Sequence, residues 1–137
     1  MFSFMNPGKS KPAKRLKIII VGCGKVGTTL VEQLSKEGHD IIIIDKNAKK
    51  VQEIANIYDI MGIVGNGASY SVQMDAGIED TDLIISVTES DELNLLCCTV
   101  AKQVGDCCTV DCQKSAPRDY QQRRRDTFEK VRSCDDY

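Results

Sequence analysis

Three glycines with the spacing G-x-G-x-x-G are the residues of this sequence best placed to bind a ligand. Gly22, Gly24 and Gly27 follow a β-branched run directly and open a helical pattern. In such a unit the first glycine permits a tight turn, the second lets a diphosphate approach the backbone, and the third lets the helix pack closely on the sheet. A tight turn without a ligand is the alternative. The predicted nucleotide-binding loop comprises Gly22, Cys23, Gly24, Lys25, Val26 and Gly27.

A carboxylate ends the next predicted strand, 18 residues after Gly27. Asp45 could accept hydrogen bonds from ribose hydroxyls and repel a 2′-phosphate, which favours NAD over NADP. The neighbouring cation, Lys46, weakens that preference because it could hold part of a 2′-phosphate. Capping of the following helix is the alternative role for Asp45.

Two further segments are predicted to face the same crevice, because each follows a strand. After the third strand, Asn66 could bind the adenine edge, with a plain turn as the alternative. After the fourth strand, Thr88 and Asp91 are candidates, with capping of the next helix as the alternative. The first of these segments comprises Gly65, Asn66, Gly67 and Ala68.

These loops connect strands and helices that alternate along the chain. The pattern predicts an α/β fold: a Rossmann-like, doubly wound parallel sheet with five strands and three layers. The fourth predicted helix, Leu93–Val104, is expected to turn Leu96, Val100 and Val104 inward. Predicted strands are Lys17–Val21, Asp40–Asp45, Gly62–Val64, Asp82–Val87 and Cys107–Val110.

The predicted domain organisation has three parts. Residues 1–16 are polar and contain both early prolines, so we expect a disordered leader. Residues 17–110 form the nucleotide-binding domain. Residues 111–137 form a polar tail with little apolar periodicity, expected to be disordered or helical.

Charge and hydropathy exclude several classes of partner. The 137-residue chain has a net charge of −2, and Ile18–Val110 holds 14 acidic and 6 basic residues. An acidic body disfavours nucleic acid, which binds through many cationic contacts. No apolar run reaches the length of a membrane span, and the N-terminus lacks a secretory signal. We therefore predict a cytoplasmic protein without direct membrane insertion.

The seven cysteines and single histidine predict neither a metal site nor a catalytic set. No C-x-x-C pair is present, and His39 falls in a loop opposite the binding edge, where a surface position is expected. Cys97 and Cys98 are expected to fill a helix face. Cys23 is expected to fill space in a turn, or else to be a reactive thiol whose pKa the helix N-terminus lowers.

Four segments together resemble the N-terminal half of the regulatory RCK or KTN proteins of potassium transport, of the TrkA-N type. The most specific is T-x-x-D-E-x-N after the fourth strand, which generic dehydrogenases lack. The resemblance covers about two thirds of the chain. Its segments are Lys17–Gly27, His39–Asp45, Val64–Ala68 and Val87–Asn94.

The resemblance implies a cytosolic regulatory subunit, peripheral to the inner face of the membrane. It would dock on a membrane potassium-conducting subunit as a homodimer or higher homo-oligomer. NAD(H) is the implied ligand, with ATP or ADP as alternatives. The three glycines would hold phosphates and Asp45 the ribose, with Asn66 and Gly67 by the adenine. Thr88 and Asp91 would line the nicotinamide or phosphate end.

The sequence departs from the family pattern at two places. The family commonly has Asp where Asn66 stands, and an alanine-arginine pair where Asp111 and Cys112 follow Val110. No companion C-terminal ligand domain is predicted within these 137 residues, and a truncation or a shifted reading frame near Val110 is one explanation of the altered pattern.

Three functions therefore remain open from the sequence. The first is a non-enzymatic, nucleotide-sensing regulator of potassium uptake. The alternative is a small NAD-dependent oxidoreductase or a fragment of one. The third is a redox-sensing module in which Cys23 is the reactive thiol.

Overall fold

Strands and helices alternate through the molecule. The computed structural model describes residues 15–104 and the backbone of residues 109–112. The strands are β1 Lys17–Val21, β2 Asp40–Asp45, β3 Met61–Val64, β4 Leu83–Ser86 and β5 Thr109–Cys112. The helices are α1 Lys25–Lys36, α2 Ala48–Tyr58, α3 Tyr70–Asp75 and α4 Asp91–Val104, with one 3₁₀ turn at Ile78–Asp80.

All strand pairs are parallel, in the order β3-β2-β1-β4-β5. The central position of β1 is seen in its register, where Ile19 pairs with Ile42 on one side and Ile84 on the other. Strand order reverses between β1 and β4, the point at which doubly wound sheets bind ligands. The predicted Rossmann-like α/β fold is confirmed.

Strand β1 is apolar and buried from Ile18 to Val21 because helices cover both faces of the sheet. Ile18 and Ile20 pack with residues of α1 and α2, such as Leu30 and Ile54. The alternate residue Ile19 packs on the opposite side with residues of α4 and the 3₁₀ turn. The molecule therefore has the three predicted layers.

The last strand lies two residues later than predicted. It spans Thr109–Cys112 rather than Cys107–Val110, and its Asp111 pairs with Ile85 of β4. Asp111 and Cys112 had been assigned to the tail. The leader's disorder and the remaining tail lie outside the described residues, although Leu16, assigned to the leader, is buried in the core.

The predicted inward face of α4 is wrong for Leu96, which is 53% exposed, whereas Val104 packs against the core as predicted. The buried residues of α4 are Asn94, Cys97, Cys98 and Ala101. The prediction gave too much weight to leucine hydrophobicity, because the buried stripe begins at a polar side chain whose partners lie outside the helix. The expected packing of Cys97 and Cys98 is confirmed.

The expected surface position of His39 is also wrong, because its side chain is buried. The main-chain N–H of Leu16 donates to Nδ1 at 3.0 Å. Nδ1 is therefore the acceptor in this hydrogen bond, and Nε2 lies 3.5 Å from the Glu37 carboxylate. The His39 side chain thus links the start of β2 to Leu16, the residue that precedes β1.

Replacement of His39 by alanine tests this contact. His39→Ala leaves a buried N–H without an acceptor, which costs about 1–3 kcal/mol of unfolding free energy. Urea denaturation measures the loss, with the exposed Gln52→Ala as the control. A His39→Ala protein as stable as the control would contradict the structural role.

Candidate functional site

A cavity of about 350 Å³ opens at the carboxyl ends of β1, β2, β3 and β4. It lies where the strand order reverses, which is the ligand-binding position of this class of sheet. The four loops after these strands therefore meet at one site. The predicted site residues that line it are Gly22, Cys23, Gly24, Asp45, Lys46, Gly65, Gly67 and Thr88.

The three glycines of the loop differ in what surrounds them. Gly22 has a φ of +116°, in the range that favours glycine. A Cβ on Gly27 would lie 1.9 Å from the carbonyl oxygen of Gly22, which no side chain can satisfy. A Cβ on Gly24 would meet nothing within 4 Å. Gly22 thus makes the turn, Gly27 allows the helix to pack, and Gly24 leaves open space.

Alanine substitutions separate these roles. We expect Gly27→Ala to cost about 1–3 kcal/mol or more through forced backbone movement. Gly24→Ala should cost less than about 1 kcal/mol, since only a helix N-cap preference is lost. Thermal unfolding of both variants measures the difference. Equal melting temperatures would contradict the packing role of Gly27.

Asp45 bonds to the main chain on both sides of the cavity. The N–H of Cys23 donates to Oδ2 at 2.8 Å, and the N–H of Asn47 donates to Oδ1 at 2.9 Å. The cap of α2 is Asn47 itself, whose side chain accepts from the N–H of Lys50. Asp45 therefore joins the glycine loop to the start of α2, and its contact with ribose stays a prediction.

The thiol of Cys23 is buried against this carboxylate. Burial and the negative charge of Asp45 raise the pKa of Cys23 to about 12, against a smaller opposing effect of Lys50. The alternative for Cys23, a reactive thiol with a lowered pKa, is therefore contradicted, because burial outweighs the helix N-terminus. The space-filling role predicted for Cys23 agrees with the structure.

The raised pKa makes a prediction about alkylation. Against an ordinary value of 9.0, a pKa of about 12 lowers the thiolate fraction near pH 8 about a thousandfold. The iodoacetamide rate at Cys23, measured by peptide mass spectrometry, should rise about tenfold per pH unit from pH 7 to 9.5. Free glutathione is the control. A plateau near pH 9 at Cys23 would contradict the buried state.

At the end of β3, small residues serve packing. A Cβ on Gly67 would lie 2.4 Å from a methyl of Val21. The buried side chain of Gln73 donates through Nε2 to the carbonyl of Gly67 at 2.8 Å and to that of Cys97 at 3.0 Å. The loop after β3 is therefore fixed to α3 and α4.

Asn66 and Ala68 form a turn beside the cavity. The N–H of Ala68 donates to Oδ1 of Asn66 at 3.0 Å, and Ala68 packs against the core. Among the described residues neither lines the cavity. The turn that was the alternative for Asn66 is present, and its adenine contact stays a prediction.

At the end of β4, Asn94 holds the loop that carries Thr88. Its Oδ1 accepts from the N–H of Thr88 at 2.8 Å, and its Nδ2 donates to the carbonyl of Thr88 at 3.1 Å. Ser90 receives a hydrogen bond from the N–H of Leu93 at the start of α4. The segment T-x-x-D-E-x-N thus builds a fixed loop. Asp91 lies in the first turn of α4, outside the described cavity lining.

Lysines on one side of the cavity supply positive charge. Lys46 and Lys50 line it, and Lys50 also lines a shallower neighbouring cavity with Lys25. Within residues 15–104 no ion pair engages either Lys46 or Lys50.

Of the remaining predicted loop residues, Val26 is buried in the core.

Sequence reasoning missed several residues of this site. Lys50 and Ser90 were not singled out, although a cation in the first turn after β2 was a usable signal. Asn94 was noted only within a motif. Cavity-lining residues outside the predicted site are Val21, Ile44, Asn47, Lys50, Val87, Glu89, Ser90 and Leu93.

The described part of the chain contains neither a metal-binding cluster nor a helix that could span a membrane. No cluster of three or more histidine, cysteine, aspartate or glutamate side chains there could hold a metal ion. None of its helices combines the length and the apolar character needed to cross a bilayer.

The strand order, the glycine loop and the cavity at the reversal point define a Rossmann-like α/β domain. The family model of the TrkA-N domain matches residues 18–130. The chain therefore belongs to the TrkA-N domain family. The match continues past Val110, where the resemblance in the sequence was expected to end.

Curated relatives in this family are potassium uptake proteins. The chain is 43% identical over 86 residues to the Trk system potassium uptake protein TrkA of Halomonas elongata, covering 63% of this chain and 19% of that protein. It is 39% identical over 98 residues to the TrkA homolog 1 of Methanosarcina mazei, covering 70% and 22%. The matched segment thus spans about a fifth of these relatives.

Solved structures share the fold. The TrkA-N domain of the inner membrane protein ybaL from Escherichia coli has a TM-score of 0.63 at 19% identity, covering 71% of each chain. The Shewanella denitrificans Kef CTD in its AMP-bound form has a TM-score of 0.61 at 19% identity, covering 69% and 56%. The GsuK channel bound to NAD has a TM-score of 0.60 at 16% identity, covering 80% and 21%.

Proposed function

We propose that the chain binds an adenine nucleotide in the cavity at the ends of β1 to β4. NAD(H) is the first candidate, with ATP and ADP as alternatives. The observation that carries this proposal is the glycine loop. Gly22 must be glycine because of its positive φ, and Gly27 because a Cβ would clash with the backbone, whereas Gly24 faces open space at the start of α1. A group that approaches the backbone closely would give the open position at Gly24 a use beyond capping α1.

The start of α1 provides the phosphate-binding chemistry. The first main-chain bond of the helix runs from the N–H of Thr28 to the carbonyl of Gly24. The N–H groups ahead of Thr28 and the helix dipole favour an anion at this end. Lys46 and Lys50 add positive charge beside Asp45. A diphosphate along the loop would place a ribose near Asp45.

The wider role that we propose is regulation of potassium uptake by a non-enzymatic, cytoplasmic subunit. The names of the curated relatives support it, as do the NAD bound to the GsuK channel and the AMP bound to the Kef domain. The subunit would act as a homodimer or higher oligomer beneath a membrane potassium-conducting protein. A nucleotide regulates such an assembly only if it binds two of its shapes with different affinity.

Calorimetric titration with NADH, NAD, ATP and ADP tests nucleotide binding. We expect Gly24→Val to lower the affinity for the nucleotide at least about tenfold, because the valine side chain would occupy the position proposed for the phosphate. Its melting temperature should fall only slightly, since a Cβ at this position meets nothing within 4 Å and a helix N-cap preference is lost. Asn56→Val, at an exposed position of α2, is the control.

Two outcomes would contradict the proposal. One is folded wild-type protein that binds none of the four nucleotides. The other is a Gly24→Val variant that binds them with wild-type affinity.

A further inference from the structure

We propose that Asp45 is a positioning residue for the glycine loop. Through the main-chain N–H of Cys23 it holds the loop in the shape that receives a diphosphate, in addition to any contact with ribose. This inference rests on the proposed nucleotide site, and it assigns Asp45 an effect on the phosphate end of the ligand.

The geometry shows how the carboxylate extends the sheet. Strands β1 and β2 are paired up to Val21 and Ile44, and the next N–H, of Gly22, donates to the carbonyl of Ile44 at 2.9 Å. The chain then turns away, and the N–H of Cys23 finds its acceptor in the Asp45 side chain at 2.8 Å. The Asp45 side chain thus replaces the neighbouring strand as the acceptor at the residue where the loop begins.

The second oxygen of the carboxylate adds a link across the cavity. It accepts from the N–H of Asn47, while the main-chain carbonyl of Asp45 accepts from the N–H of Gly65. One residue therefore contacts the loops that follow β1, β2 and β3. A carboxylate has about four acceptor positions. Ribose hydroxyls could bind while both of these side-chain bonds persist.

Removal of the carboxylate should act mainly on the loop after β1. Cys23 loses its acceptor, whereas Gly22 keeps its bond to Ile44. Beyond Gly22 the loop is then held from the α1 side, by the packing of Gly27 against Gly22 and by the hydrogen bonds of Thr28 to the carbonyls of Cys23 and Gly24. Phosphate binding suffers because the donors of the loop are no longer fixed before the ligand arrives.

The first experiment compares two ligands with and without ribose hydroxyls, ADP and 2′,3′-dideoxy-ADP. If Asp45 positions the loop, Asp45→Ala lowers the affinity for both ligands, and the affinity for the dideoxy ligand falls at least about tenfold. Asp45→Asn, which keeps one acceptor oxygen, should lose less. Asp75→Ala removes an exposed carboxylate elsewhere and is the control. If Asp45→Ala leaves the dideoxy ligand unaffected, Asp45 acts through ribose alone and the inference is overturned.

The second experiment needs no ligand, so it also decides the inference if the proposed nucleotide site fails. Amide hydrogen exchange of the whole chain is followed by NMR in the wild type and in Asp45→Ala. We expect exchange of the Cys23 amide to accelerate at least about tenfold, while that of the Gly22 amide stays within about twofold. The Gly22 amide is the matched control because it bonds to main chain only.

Either of two results in this second experiment overturns the inference. Unchanged exchange at Cys23 would show that Asp45 does not hold its amide. Equal acceleration at Gly22 and Cys23 would show that Asp45 stabilises the whole sheet edge rather than the loop.

Discussion

The contact between the Cα of Gly27 and the carbonyl of Gly22 is the constraint on which the rest of the site depends. It brings the first turn of α1 against the end of β1 so closely that any Cβ on Gly27 would overlap an oxygen. This proximity aims the start of the helix into the cavity. It also fixes where Gly24 is exposed and where the Cys23 amide meets Asp45.

Three side chains hold the loops around the cavity, each from another element. Asp45 of β2 holds the loop after β1, Gln73 of α3 holds the loop after β3, and Asn94 of α4 holds the loop after β4. Each one binds main-chain groups, so the shape of the loops depends little on the flexible side chains of the rim. Because the loops are already ordered before a ligand arrives, less of the ligand's binding free energy is lost in ordering them.

The sequence predicted those features that depend on neighbours along the chain. Strand β2 matches its predicted bounds, because an apolar run between two aspartates is unambiguous. The glycine spacing located the loop for the same reason. The roles of His39, Gln73 and Asn94 were not predicted, because their hydrogen-bond partners lie 6 to 24 residues away along the chain. A buried polar side chain satisfied by the tertiary fold leaves no local pattern, and a lysine such as Lys50 looks like any solvated charge.

The two hydrogen bonds donated by Nε2 of Gln73 have a mechanical consequence. One amide nitrogen is shared between the carbonyl of Gly67, at the cavity wall, and that of Cys97, in the middle of α4. Displacement of the wall would pull on that nitrogen and so on the helix. On its outer side α4 presents Leu95 and Leu96, each more than half exposed. Gln73 thus connects the wall of the cavity to the helix that presents this apolar outer surface.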